Sequence, residues 1–181
     1  MPVYLELYEK LVSGKLRASG PNLILGGDME NPNVSRQDGW QIYTEQSVNL
    51  NGQVVYDSVA KRTGERGLHI VVSPQVAGQP PAEAECPAII AEVGFNTRIG
   101  QLICIQGWIK IPRDLTNSVD GVEIYDDQGG KALALRFKQA SEWKRFAFYR
   151  ISTNDGPMRL RFAFSGVGEV YLDDVAAYVV Q

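Results

Sequence analysis

The sequence predicts an all-β protein, a two-sheet antiparallel jelly-roll sandwich preceded by one short helix. Three observations predict it. From Asn22 onward, short runs rich in Val, Ile, Phe, Tyr and Trp alternate with clusters of Gly, Asn, Asp and Pro, the punctuation of strands and turns. Inside those runs apolar and polar residues alternate with period two, which gives each strand one face for a core and one for water. The 181 residues are enough for one domain with a sizeable core and short of what two would need.

The first stretch, 3–17, places Tyr4, Leu7, Tyr8 and Leu11 at helical spacing, and Gly20-Pro21 stops it. Residues 1–20 read as a helical stub or linker and 21–181 as the sandwich domain. Strands are expected at 23–25, 40–44, 54–60, 68–72, 88–95, 102–111, 122–125, 132–138, 143–151, 158–165 and 170–180. That number of short strands suits a sandwich better than a small barrel. The segment 78–87 (Gly-Gln-Pro-Pro-Ala-Glu-Ala-Glu-Cys-Pro) is a loop, because each proline lacks a ladder donor.

Alternation assigns the faces. In 102–111, Ile103, Ile105, Ile109 and Ile111 share the inner face, and Gln106, Trp108 and Lys110 the outer one. Val122 and Ile124 point inward, Glu123 and Tyr125 outward. Leu133, Leu135 and Phe137 point inward, Arg136 and Lys138 outward. Met158, Leu160, Phe162 and Phe164 point inward, Arg159 and Arg161 outward. Two stacked antiparallel sheets require this pattern. Trp40 and Trp143, at strand starts beside turn residues, are expected to plug the ends of the sandwich. Tyr43, Tyr56 and Tyr149 are not assigned a side.

A hairpin joining 88–95 to 101–111 would put Cys104 opposite a residue near Val93. Cys86 would then lie several residues further along, at ~3.3 Å per residue and beyond disulfide reach. Both cysteines read as buried free thiols.

Composition excludes several function classes. A formal charge of −3 gives no global reason to bind nucleic acid or anionic membrane. No apolar run approaches the ~20 residues of a membrane-spanning helix, and the start lacks the features of a secretory signal. The chain is therefore expected to be intracellular or, the preferred reading, a piece of a longer one. His69 is the one histidine, with no neighbouring nucleophile and no Gly-x-Ser-x-Gly elbow. Phosphate-binding glycine motifs and zinc spacings are missing too. A carboxylate pair for glycoside hydrolysis would have to come from distant strands, and Glu92, Glu123 and Asp127 read as solvated surface.

Two acidic clusters carry more information: Gly27-Asp28-Met29-Glu30-Asn31 and Asp173-Asp174 inside the apolar final strand. Adjacent carboxylates in a sheet are costly unless paired or metal-bound. If the first and last strands are neighbours, the clusters meet and offer hard oxygen ligands for structural calcium. The alternative is that Asp173 and Asp174 cap a bulge and accept backbone amides.

The run Asn22-Leu23-Ile24-Leu25-Gly26-Gly27-Asp28-Met29-Glu30, then Gly39-Trp40, then Gly64 to Ile70, resembles the opening of jelly-roll carbohydrate-binding modules attached to xylanases and related glycanases. Gly107-Trp108-Ile109-Lys110 and Tyr171-Leu172-Asp173-Asp174-Val175 extend the resemblance to about 22–179. Gly26 and Met29 depart from the usual Asn and Phe. The resemblance implies calcium held by Glu30 and Asp173, with Asp28 as a further ligand. It also implies a non-catalytic module of a larger secreted or surface protein, binding a polysaccharide or glycan and contacting other domains of its parent.

Sugars present flat apolar faces rimmed by hydroxyls, so a site needs exposed aromatic platforms beside planar hydrogen-bonding groups. The outward residues supply that mixture: Trp108 and Tyr125 for stacking, with Gln106, Glu123, Arg136, Arg159 and Arg161 for the hydroxyls. The alternative is that Trp108 and Tyr125 lie under a loop or the N-terminal helix as extensions of the core. Strand order decides whether they share one sheet. The rival readings are a structural or protein-interaction sandwich that binds no sugar, and a small hydrolase.

Overall fold

Hydrogen bonding sorts the strands into two sheets whose inner faces are the apolar ones. The computed structural model describes residues 9–10, 13–14, 17–31, 39–44, 49–76, 84 and 86–181. In chain order the strands are β1 (Ala18–Ser19), β2 (Trp40–Thr44), β3 (Leu50–Asp57), β4 (Gly67–Pro74), β5 (Ile89–Thr97), β6 (Leu102–Ile111), β7 (Val122–Asp126), β8 (Leu135–Phe137), β9 (Ser141–Ile151), β10 (Gly156–Phe164) and β11 (Gly168–Val180). One sheet runs β3-β4-β11-β6-β9, with β1 beside β11, and the other runs β2-β5-β10-β7-β8. Every pairing between these strands is antiparallel. The molecule is an all-β, two-sheet sandwich. Among the described residues no helix is long and apolar enough to cross a membrane.

The core lies between the sheets, where Ile103, Ile105 and Ile109 of β6 meet Leu160, Phe162 and Phe164 of β10. Phe162 sits at its centre. Trp40 stacks on it at 6.1 Å between ring centroids, and Phe146 meets it edge-on at 6.0 Å. Gly107 makes room for Phe146, since a Cβ there would stand 2.6 Å from the ring. Burying each such side chain contributes roughly 1.5–3 kcal/mol.

Several expectations need correction. β5 and β6 do not form a hairpin, because both edges of β5 are taken by β2 and β10 and both edges of β6 by β11 and β9. Their short connection crosses from one sheet to the other. Cys104 is buried and Cys86 exposed, both as free thiols, so only one of the two is a buried cysteine. Residues 23–25 form turns rather than a strand. They still serve the last strand: the Leu23 amide donates to the Ala177 carbonyl, and Gly27 accepts from the Val175 amide. Leu133 is 60% exposed in a single 3-10 turn, Lys131–Leu133, which shortens the strand expected there to β8. Trp40 is buried as expected, whereas Trp143 is half-buried beside the irregular β6–β9 pairing and does not join the core.

Of the helix expected over 3–17, residues 3–8, 11–12 and 15–16 lie outside the described residues, and Glu9 and Lys10 are helical. Arg17 already exchanges backbone bonds with Gln181, and Ala18 and Ser19 pair with Val180 and Val179.

Candidate functional site

The outer face of the β2-β5-β10-β7-β8 sheet carries a groove of about 440 Å³ lined by Gln41, Tyr43, Ile90, Glu92, Tyr125, Arg159 and Arg161. Strand register builds it in rows. Gln41, Glu92, Arg161 and Tyr125 stand opposite one another across β2, β5, β10 and β7. The next row is Tyr43, Ile90, Ala163 and Glu123, with Arg136 beyond on β8. Tyr43 is 49% exposed and forms a wall, while Tyr125 is 5% exposed and forms part of the floor. The Tyr43 hydroxyl donates to the Gln41 side-chain carbonyl, which steadies the exposed ring.

The charged groups of this face are tied together. Arg161 Nε donates to Glu92 Oε2 at 2.5 Å, and Arg159 Nε lies 3.6 Å from Glu92 Oε1. The hydrogen bond to Glu92 holds the Arg161 guanidinium above its ordinary pKa, against the opposing pull of burial. Glu123 is held by Arg136 Nη2 at 3.1 Å and Lys131 Nζ at 3.0 Å. Glu92 and Glu123 are therefore buried and paired rather than solvated, which corrects the expectation; Asp127 is exposed. The arrangement offers aromatic rings beside fixed planar donors and acceptors, the chemistry for packing on a sugar ring and bonding its hydroxyls.

The structure brings together Tyr125, Glu123, Arg136, Arg159 and Arg161. It does not bring Trp108 and Gln106 to them. Both belong to β6, on the outer face of the opposite sheet, with the core between. Trp108 there is covered by its own chain: the Arg62 guanidinium carbon lies 3.7 Å from its ring centroid. Gln106 accepts a short hydrogen bond from Arg145. Gln41, Tyr43, Ile90 and Glu92 are the lining residues missed in the sequence. The signal was there: with Trp40 and Val93 in the core, period-two alternation sends Gln41, Tyr43, Ile90 and Glu92 outward.

The acidic clusters meet a common loop. Asp173, fully buried, accepts the amides of Arg62 at 2.7 Å and Thr63 at 3.1 Å on Oδ2, and that of Asp174 on Oδ1. Burial pushes its carboxyl above the usual aspartate range despite these amides. Asp174 takes Arg62 Nη1 at 2.7 Å and the Thr63 hydroxyl. Further along the loop, Glu30 accepts the Glu65 amide on both oxygens at 3.0 Å, close enough that a Cβ on Gly64 would collide with it. Asp28 is exposed and accepts the Glu30 amide. The fit to calcium is partial: Glu30 and Asp173 are hard oxygen donors that grip one loop, at Glu65 and at Arg62 and Thr63, yet no three metal-binding side chains converge among the described residues.

No family model and no curated protein matches the sequence. Solved structures do. Over 87% of this chain and 99% of the other, it superposes on a family 4 carbohydrate-binding module with a TM-score of 0.60 at 15% identity. A family 61 module solved with β-1,4-galactotriose matches at 0.51 and 12% identity, over 88% of this chain and 99% of that one. The xylan-binding CBM22-1 domain of Xyn10C from Paenibacillus barcinonensis matches at 0.51 and 11%, over 91% and 98%. Many of the structures this chain resembles are carbohydrate-binding modules matched over most of its length. At such low identity the likeness establishes the fold: this is the two-sheet sandwich those modules share.

Proposed function

We propose that the chain is a non-catalytic carbohydrate-binding module that holds a polysaccharide along the groove of the β2-β5-β10-β7-β8 sheet. One observation carries the reading: Tyr43 and Tyr125 stand in one groove with the ion-paired Glu92, Arg159 and Arg161. Rings cover apolar sugar faces while the paired charges, already fixed in place, bond hydroxyls at small entropic cost. A non-catalytic role is supported by the same pairing. Glu92 faces two guanidiniums and Glu123 a guanidinium and an ammonium, so neither carboxylate is free to act as acid or base. The likeness to modules supports a place in a larger secreted or surface protein. Structural calcium at the loop held by Glu30 and Asp173 belongs to the same proposal.

The test is affinity electrophoresis through gels containing xylan, mixed-linkage glucan or galactan. The wild-type chain is expected to be retarded by at least one polymer. Tyr43→Ala is expected to weaken that retardation about tenfold, the scale of one lost stacking contact with its hydrogen bonds. Trp108→Ala, on the far sheet, is expected to leave it unchanged. Retardation lost with Trp108→Ala and kept with Tyr43→Ala would move the site to the other face.

A further inference from the structure

The charges in the groove do not balance. Glu92 is the one acid among the lining residues, and it faces two guanidiniums, Arg159 and Arg161. Counting the lining residues alone, one positive charge is left over, and the exposed Asp127, whose charge reaches Arg161, stands just outside them. Geometry shows which arginine carries the surplus. Arg161 Nε is hydrogen-bonded to Glu92 at 2.5 Å, whereas Arg159 Nε stands 3.6 Å away, outside hydrogen-bond range. Among the described residues the Arg159 guanidinium makes no hydrogen bond, and its side chain is 52% exposed. Asp127 stands on its flank, its amide donating to the Arg159 carbonyl at 3.0 Å. It lies outside the lining, and its Oδ1 accepts the main-chain amide of Arg159.

The neighbouring strand leaves this guanidinium uncovered. Gly94 sits opposite Arg159 on β5, and a Cβ built there would meet nothing within 4 Å. An arginine on a central strand, with open space beside it, presents a planar fork of donors to that space. A sugar hydroxyl uses one donor of such a fork and leaves its charge unmatched. A carboxylate takes two parallel N–H groups and cancels the charge.

Resting on the reading of the groove as a polysaccharide site, we propose that its ligand is an acidic polysaccharide, with Arg159 clamping the carboxylate of a uronic acid residue. Tyr43 then packs on the sugar backbone, over the floor that Tyr125 helps to form, while Arg159 reads the acidic substituent. The interaction is partly screened, so affinity for the acidic polymer falls with added salt more steeply than affinity for a neutral one.

The experiment compares glucuronoxylan, polygalacturonate and alginate with the same polymers after their carboxyl groups are reduced to primary alcohols. Binding of the intact chain is measured by calorimetry at low and high sodium chloride. At least one acidic polymer is expected to bind about tenfold tighter than its reduced form at low salt, the scale of one charge-assisted contact. Arg159→Gln is expected to erase that preference, bringing the affinity for the acidic polymer down to that for its reduced form, while keeping the melting temperature. Equal affinity for each acidic polymer and its reduced form overturns the inference and leaves the module reading standing. So does a preference that survives Arg159→Gln. Binding to none of these polymers, nor to the neutral ones named above, overturns both.

Discussion

Arg150 of β9 reaches across the gap between the sheets to Asp126 of β7, with Nε 2.6 Å from Oδ2. Asp126 is fully buried and also accepts the amides of Gln128 and Gly129. A pair of this kind adds little over an apolar packing of the same shape, but removing one member strands a buried charge. Arg150→Met is therefore expected to lower the unfolding free energy by roughly 3–5 kcal/mol in a denaturant titration. Adding Asp126→Asn is expected to recover part of the loss, since the stranded charge is then gone. A single variant as stable as the wild type would show that water reaches Asp126 freely. None of this was legible in the sequence. Asp126 ends a strand and Arg150 lies inside another, and only the stacking of the two sheets makes them partners. The adjacent pair Asp173-Asp174 was legible as a problem needing partners, and the structure supplies amides, Arg62 and Thr63.

Among the elements, the loop between β3 and β4 is anchored to β11 and to the segment that carries Glu30. Asp57 starts it by accepting the amides of Val59 and Ala60 and by meeting His69 Nδ1 at 2.9 Å. Asp173 and Asp174 of β11 hold its middle, and Glu30 its far end. If calcium joins Glu30 and Asp173 here, it binds the folded chain and not the unfolded one, so added calcium raises the melting temperature by linkage. Glu30→Gln is expected to reduce that rise. A melting temperature indifferent to calcium and to chelator would leave the loop anchored by its hydrogen bonds and the Arg62–Asp174 ion pair. The strands themselves were readable because period two is a local property: 40–44 and 102–111 coincide with β2 and β6. Which strands pair is not local. A short link between 88–95 and 101–111 reads as a hairpin, and only the competing partners on both edges of β5 and β6 decide otherwise.

Taken whole, the molecule has two outer faces with different uses of their aromatic residues. The β3-β4-β11-β6-β9 face spends Trp108 on Arg62 and sets His69 edge-on to Tyr171 at 4.8 Å. The β2-β5-β10-β7-β8 face leaves Tyr43 and Tyr125 beside paired charges in an open groove. Alternation told which residues point outward but not from which sheet, so the sequence-derived set mixed residues from both faces. The five on one sheet survive as neighbours, and Trp108 and Gln106 fall away. The most direct measurement is an amide chemical-shift titration of the labelled chain with an oligosaccharide of whichever polymer retards it. The shifts are expected to cluster at residues 41–43, 90–94, 123–127 and 159–161. Shifts centred instead on Trp108, Arg62 and Arg145, with the groove silent, would contradict the account.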